Sequence, residues 1–313
     1  MNIIDSANTR AALPFDRLIP AIKRLFIAGC EVPLRHTHTL TAANGDTSTV
    51  LLMPAWQSGG FMGIKTVTIT PANAARGLPG LFSTYVLYDA TTGEPLAQMD
   101  GNEITSRRTA AASALAASYL ARSDARTLLV VGSGRVARLL PEAYRCVRPI
   151  ERVLVWNRTA AAATALAASL RADGFDAAAA LDLAHAARKA DIVTCATLAT
   201  EPVVRGEWLS AHSHLDLIGS FTPQMREADD ACFANALLVV DTPEALLKSG
   251  ELLGPMSRGV FTANSVGGTL EALTRGVIYG RNATTGRSVF KSVGTALEDL
   301  AAATLVFESI GQG

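Results

Sequence analysis

An α/β fold, in which a doubly wound parallel sheet is joined to a mostly antiparallel one, follows from three features of this 313-residue sequence. Beyond residue 125, short apolar runs without polar interruption alternate with segments of helical composition, as expected of strands covered on both faces by crossover helices. Before that point, closely spaced β-prone runs are separated by glycine turns. Hydrophobic residues make up 49% and charged residues 18% of the chain, which is enough apolar material for one or two domains with real cores.

The elements follow in order. Residues 1–15 mix polar residues with short apolar pieces and lack the apolar centre of a signal peptide. Strands are expected at Thr47–Met53, Gly63–Thr70 and Thr84–Asp89, with turn signals at Asn44-Gly45, Ser58-Gly59-Gly60, Pro79-Gly80 and Thr92-Gly93. An alanine-rich helix at about Glu103–Arg122 leads into the second region. There the strands are Thr127–Val131, Val153–Trp156, Asp191–Thr197, His214–Ser220 and Ala236–Asp241. Helical composition marks Val136–Ala143, Ala160–Ala172, Asp182–Lys189 and Arg226–Ala234. A last helix is expected over Gly294–Ile310, with no strand after it, so that it can return to the first domain.

Lys+Arg and Asp+Glu are equal at 28 each, which excludes a protein built to coat nucleic acid or an anionic membrane. No apolar run is long enough to span a bilayer, and a soluble, cytoplasmic protein is expected. Cys30, Cys146, Cys195 and Cys232 lie far apart without a CxxC pair, so neither a disulfide framework nor a zinc site is indicated. His36/His38 and His212/His214 form two H-x-H pairs, neither with a third ligand at a recognisable spacing; no metal is expected. The signatures of zincins, serine hydrolases and P-loop enzymes are missing from the sequence.

The chemistry begins at Gly132-x-Gly134-x-x-Ala137, directly after the Thr127–Val131 run. A first glycine permits a tight turn, a second lets the backbone approach a pyrophosphate, and a small third residue keeps helix and strand close. Arg135 and Val136 open the helix whose N-terminus faces the phosphates. A plain strand-to-helix turn is the competing reading; strand before and helix after make a Rossmann-type dinucleotide site the better one. At the end of the second strand a carboxylate would bind a ribose 2′-hydroxyl, whereas the chain has Asn157-Arg158-Thr159. An arginine suits a 2′-phosphate, so NADP(H) is favoured and NAD(H) remains possible; a merely solvated Arg158 is the alternative.

Three cations stand out in the first region. Strand alternation puts Lys65 on the apolar face with Val67 and Ile69, where a lysine has either a partner anion or an edge position from which its stem reaches water. Arg108 continues the stripe of Ala111, Ala112, Leu115 and Tyr119 near a helix N-terminus, where a cation is unfavourable unless an anion is close. Arg107 reads as solvated, and Arg35, between Pro33 and His36, as a surface residue.

Taken together, Met53-Pro54, Gly63-Ile64-Lys65, Thr92-Gly93-Glu94-Pro95, Ile104-Thr105-Ser106-Arg107-Arg108-Thr109-Ala110-Ala111, the glycine motif and Ser288-Val289-Phe290-Lys291-Ser292-Val293-Gly294 resemble the ornithine cyclodeaminase/mu-crystallin family, over about Arg35 to Asp299. The resemblance implies a homodimer of two-domain subunits. Residues 1–124 and 288–313 would form a discontinuous α+β substrate-binding and dimerisation domain, and residues 125–287 the Rossmann domain. It also implies that Arg35, Lys65 and Arg108 bind a substrate carboxylate, with Lys65 and Arg108 as the catalytic residues. Gly132, Gly134, Arg135, Val136, Ala137, Asn157, Arg158 and Thr159 would hold the dinucleotide, Thr197 would lie near the nicotinamide, and Val293 and Gly294 would close the pocket.

Ornithine cyclodeaminases resemble one another in a glutamate two residues before Met-Pro and an aspartate after the glycine of the fourth Rossmann strand. This chain has Leu51 and, by alignment, Phe221 there. A distal substrate ammonium would be left without a partner, and burying it so is costly. The implied activity is therefore NAD(P)H-dependent reduction of a small imino acid, such as pyrroline- or piperideine-2-carboxylate, to the amino acid. Ornithine cyclodeamination or alanine dehydrogenation is the alternative; an amino-acid synthase on the same scaffold and a non-catalytic NADPH and small-ligand binder are others.

Overall fold

The computed structural model describes residues 1–310, which divide into two compact units with boundaries at Arg108/Thr109 and Gly294/Thr295. The first unit, Met1–Arg108 with the residues from Thr295 on, contains β1 (Asn2–Ile4), α1 (Ser6–Ala11), α2 (Phe15–Ala28), β2 (His36–Thr41), β3 (Thr47–Trp56), β4 (Phe61–Ile69), β5 (Leu81–Asp89) and β6 (Pro95–Asp100). These strands form one sheet in the order β1-β6-β5-β4-β3-β2, antiparallel except for the parallel β1–β6 pair. Asp100 then caps α3 (Gly101–Leu120) by accepting from the N–H groups of Asn102 and Glu103, both at 2.9 Å. The boundary between the units falls inside this helix.

The second unit holds β7 (Thr127–Val131), α4 (Arg135–Arg145), β8 (Arg152–Trp156), α5 (Ala160–Ala172), β9 (Asp176–Ala179), α6 (Leu183–Lys189), β10 (Ile192–Cys195), β11 (His214–Leu217) and β12 (Leu237–Val240). It continues with α7 (Ala245–Lys248), α8 (Gly250–Ser257), β13 (Gly268–Thr269), α9 (Leu270–Thr274) and β14 (Ser288–Lys291), after which α10 (Ala296–Ile310) belongs to the first unit. The eight strands run β13-β12-β14-β11-β10-β7-β8-β9, every pair parallel. Their apolar runs are buried as a two-faced cover requires: Leu129, Val131, Val193, Leu215, Leu217 and Val289 are all inaccessible. The strand order reverses between β7 and β10, the place where doubly wound sheets bind their ligands.

Three expectations need correction. Arg226–Ala234 is not a helix beyond a three-residue 3-10 turn at Asp230–Cys232. Its start runs extended beside residues 203–204, whose N–H groups donate to the Glu227 carbonyl at 2.8 and 2.9 Å. Secondly, the C-terminal boundary lies after Gly294 instead of at 287/288, because Ser288–Lys291 is a strand between β11 and β12. The first boundary lies at residue 108 instead of 124. Thirdly, Arg107 is buried, donating from Nε to the Leu13 carbonyl at 2.7 Å with its guanidinium over the Phe15 ring.

Within the first unit, α10 packs against α2 and on β3, β4 and β5. One sheet face is buried with them, through Met53, Ala55, Lys65, Val67, Tyr85, Leu87, Ala97 and Met99. The opposite face carries the half-buried row Pro54, Ile64 and Val86, in register across β3, β4 and β5. Among the described residues no helix is long and apolar enough to cross a membrane.

Candidate active site

Lys65 comes to the buried sheet face by simple alternation along β4 and is 2% exposed. Its Nζ lies 2.6 Å from Asp299 Oδ2 and donates a hydrogen bond to Thr105 Oγ1 at 3.2 Å. Asp299 also accepts from Arg108 Nε at 2.9 Å, and Glu298 accepts from Arg108 Nη1 at 2.7 Å. One aspartate on α10 thus bridges a lysine on β4 and an arginine on α3, with all four charged side chains buried. The anion that a buried Lys65 and a helix-start Arg108 require is this carboxylate pair.

Burial discharges amines, and it lowers the Lys65 pKa to about 8, with Asp299 opposing and Arg108 and Arg35 assisting the fall. For Asp299 burial works against the charge, but Lys65 and Arg108 outweigh it and hold the carboxyl below its ordinary value. Arg108 stays firmly charged because Asp299 and Glu298 overcome its desolvation. Arg35, half-buried just before β2, is close enough to contribute to the Lys65 field. Sequence reasoning missed Glu298 and Asp299. The readable signal was two adjacent acids in a helix whose other early residues, Ala296, Leu297, Leu300 and Ala301, are apolar and buried.

The dinucleotide candidates all lie in the second unit, just past strand ends on the carboxyl edge of the parallel sheet. Gly132, after β7, has φ +118°, and a Cβ there would sit 2.6 Å from the Ala196 carbonyl oxygen. Only glycine allows that approach. Gly134 precedes α4 with nothing within 4 Å of where its Cβ would be, so the space in front of the helix is open. No side chain caps α4, leaving its first N–H groups available to an anion. Arg135 is exposed, Val136 half-buried, and Ala137 buried. These features fit a bound pyrophosphate.

After β8, Asn157 Nδ2 donates to Ser133 Oγ at 3.0 Å, tying the second strand end to the glycine turn, while Arg158 and Thr159 are exposed. Thr197, after β10, donates from its N–H and hydroxyl to Glu227 Oε1 at 2.7 and 2.8 Å; the Gly219 N–H donates to Glu227 Oε2 at 2.7 Å. Burial, with Glu251 adding to it and Lys291 opposing, raises the Glu227 pKa to about 7. Val293 and Gly294 donate their N–H groups to Asp241 Oδ2 at 2.7 and 2.6 Å, which fixes the backbone after β14. Glu227 and Asp241 were not identified from sequence: the first lies in the segment misread as helix, and the second reads as a strand terminus. Leu51 is on β3 paired with Val67, and Phe221 is in the loop after β11, so neither position brings a carboxylate.

Comparison with known proteins gives consistent relationships. A profile described as the ornithine cyclodeaminase/mu-crystallin family matches residues 28–313. A Delta(1)-pyrroline-2-carboxylate reductase of Paracoccus denitrificans is 43% identical over 282 residues, covering 87% of this chain and 89% of that protein. The structure of the Thermococcus litoralis Delta(1)-pyrroline-2-carboxylate reductase, in complex with NADH and L-proline, superposes with a TM-score of 0.92 at 31% identity, covering 100% of this chain and 98% of that one. An archaeal alanine dehydrogenase dimer with bound NAD gives 0.90 at 28% identity, covering 100% and 96%.

Proposed function

Because the chain belongs to the ornithine cyclodeaminase/mu-crystallin family, we propose that it is an NAD(P)H-dependent oxidoreductase that reduces a small cyclic imino acid, of the pyrroline- or piperideine-2-carboxylate class, to the amino acid. The observation that carries this reading is the buried Lys65–Arg108 pair braced by Asp299. Two cations there face two carboxylates, and Arg35 adds to the positive field at Lys65. Arginine and lysine side chains gathered in this way suit a substrate carboxylate, while Leu51 and Phe221 offer nothing to a distal ammonium.

A reduced nicotinamide, when bound, supplies the hydride to the C=N carbon. Arg35 and Arg108 orient the carboxylate, and Arg108 does so from a guanidinium plane already set by Asp299 and Glu298. Such preorganisation avoids reordering charged groups during the reaction. Lys65 gives a proton to the imine nitrogen as the carbon accepts the hydride, and a pKa of about 8 suits that transfer near neutrality. Gly132, Gly134, Arg135, Val136 and Ala137 would hold the pyrophosphate, and Thr197 would lie beside the nicotinamide, with Val293 and Gly294 at the same sheet edge.

Asn157, Arg158 and Thr159 favour NADP(H), since no carboxylate occupies that strand end to bind a ribose diol. The deciding experiment is a panel of cyclic imino acids and of ornithine and alanine, assayed by reduced-nicotinamide absorbance with both cofactors. Imine reduction is expected, with NADPH preferred, and Arg158→Ala should weaken NADPH about tenfold while leaving NADH within twofold. Turnover of ornithine with ammonia release, or of alanine, in place of imine reduction would overturn the assignment; equal use of both cofactors by the parent and the variant would overturn the NADP(H) preference.

The Pro54, Ile64 and Val86 row on the outer sheet face supports a homodimer built on the first unit, because an apolar face of that kind is normally covered. Sedimentation velocity should give the mass of two chains, and a concentration-independent single chain would refute it. The wide spacing of the four cysteines, without a CxxC pair, supports a reducing, cytoplasmic setting.

A further inference from the structure

We propose that Asp299 is the positioning residue that keeps Lys65 protonated and aimed in the empty site, so that the proton for the imine nitrogen is in place before substrate arrives. This inference rests on Lys65 being the proton donor of the proposed reduction. The geometry is specific: Asp299 is fully buried in the first turn of α10, with Oδ2 2.6 Å from Lys65 Nζ and Oδ1 2.9 Å from Arg108 Nε. A single side chain therefore fixes the separation of the two cations while touching both.

Thr105 accepts a hydrogen bond from Nζ at 3.2 Å, but burial and the other cations around Lys65 favour its neutral form. Arg108 from α3 and Arg35 from the segment before β2 repel a third positive charge, and burial removes the water that would stabilise it. Across the sheet, Tyr85 on β5 stands opposite Lys65 in register. Its phenol is buried and held neutral by desolvation, with the Asp299 charge and then Cys30 adding to that effect. Glu298, the second acid of α10, pairs with Arg108. The charged group that favours the ammonium is Asp299, both through its charge and through direct contact.

The proton ledger of the step is simple. Lys65 Nζ loses a proton to the imine nitrogen, the C=N π bond is replaced by C–H and N–H bonds, and the neutral amine takes a new proton from water. Asp299 remains a carboxylate throughout. It restores the charged state of Lys65 between turnovers and is not itself the donor.

The test follows the Lys65 side-chain nitrogen by NMR on lysine-15N-labelled protein, assigning its signal by its loss in Lys65→Arg. In the parent the titration midpoint is expected near pH 8. Asp299→Asn should lower it by one unit or more, and Asp299→Glu, which keeps the charge, should recover most of that shift. In the same variants the basic limb of kcat/KM should move with the midpoint, so that at pH 9 the loss caused by Asp299→Asn is about tenfold greater than at pH 6. An unmoved midpoint in Asp299→Asn overturns the proposal, as does an activity loss of equal factor at every pH. Should Asp299→Asn not fold, a parent midpoint below pH 7, or an Asp299→Glu midpoint lowered by a unit or more, overturns it. The titration needs no turnover, so failure of the reductase assignment would appear separately, as a normal midpoint in a protein inactive toward imines.

Discussion

Lys65→Met is expected to lower kcat/KM for the imino acid by about 10²- to 10⁴-fold, the range that a positioned general acid contributes. NADPH affinity should stay within about twofold, because the dinucleotide candidates belong to the second unit and Lys65 to the first. Steady-state assays and a fluorescence titration of the cofactor measure the two effects separately. The methionine keeps much of the buried stem volume, and Arg108 still faces Asp299, so the fold retains a partner for that carboxylate. A loss confined to KM would assign Lys65 to ground-state binding alone; an unchanged kcat/KM would remove it from the reaction.

Arg108→Ala should have the largest combined effect on stability and activity. It deletes the guanidinium from a fully buried cluster in which Arg108 Nε and Nη1 meet Asp299 and Glu298. Breaking a buried ion pair from one side costs about 3–5 kcal/mol, because the remaining charge stays desolvated. For a unit of this size the expected fall in Tm is about 10 °C. Arg108→Lys should recover part of that loss, since the charge returns, but little of the substrate affinity, since the planar fork does not. Calorimetry and KM measured on the two variants check this; equal KM in Arg108→Lys and the parent would contradict a role in orienting the carboxylate.

The second unit was largely legible because its strands are uninterrupted apolar runs, a pattern that tertiary context seldom overrides. Ala160–Ala172 forms a helix at the expected bounds, and Thr127–Val131 a strand. The helix Phe15–Ala28 was not among the expected elements, although Phe15, Leu18, Ile19, Ile22, Leu25 and Phe26 carry a helical stripe on either side of Pro20. Arg226–Ala234 failed for a different reason: composition suits a helix, but the N–H groups of Glu227 and Ala228 bond to the buried Glu251 carboxylate. In the candidate site, strand alternation exposed the anomaly of Lys65, and its partner lay beyond any local pattern. Arg108 and Asp299 are separated by 191 residues, and no spacing rule spans that interval.

The path of the chain after β13 has a consequence for biogenesis. Ser288–Lys291 fills a gap in the second unit's sheet, and the residues from Ala296 immediately afterward complete the first unit. A ribosome therefore delivers Lys65 and Arg108 long before the two acids that neutralise them. Until α10 emerges, the first unit lacks both the acids that pair with Lys65 and Arg108 and the helix that packs on β3, β4 and β5. Vectorial synthesis thus lets the buried charge cluster form only after both units have been translated.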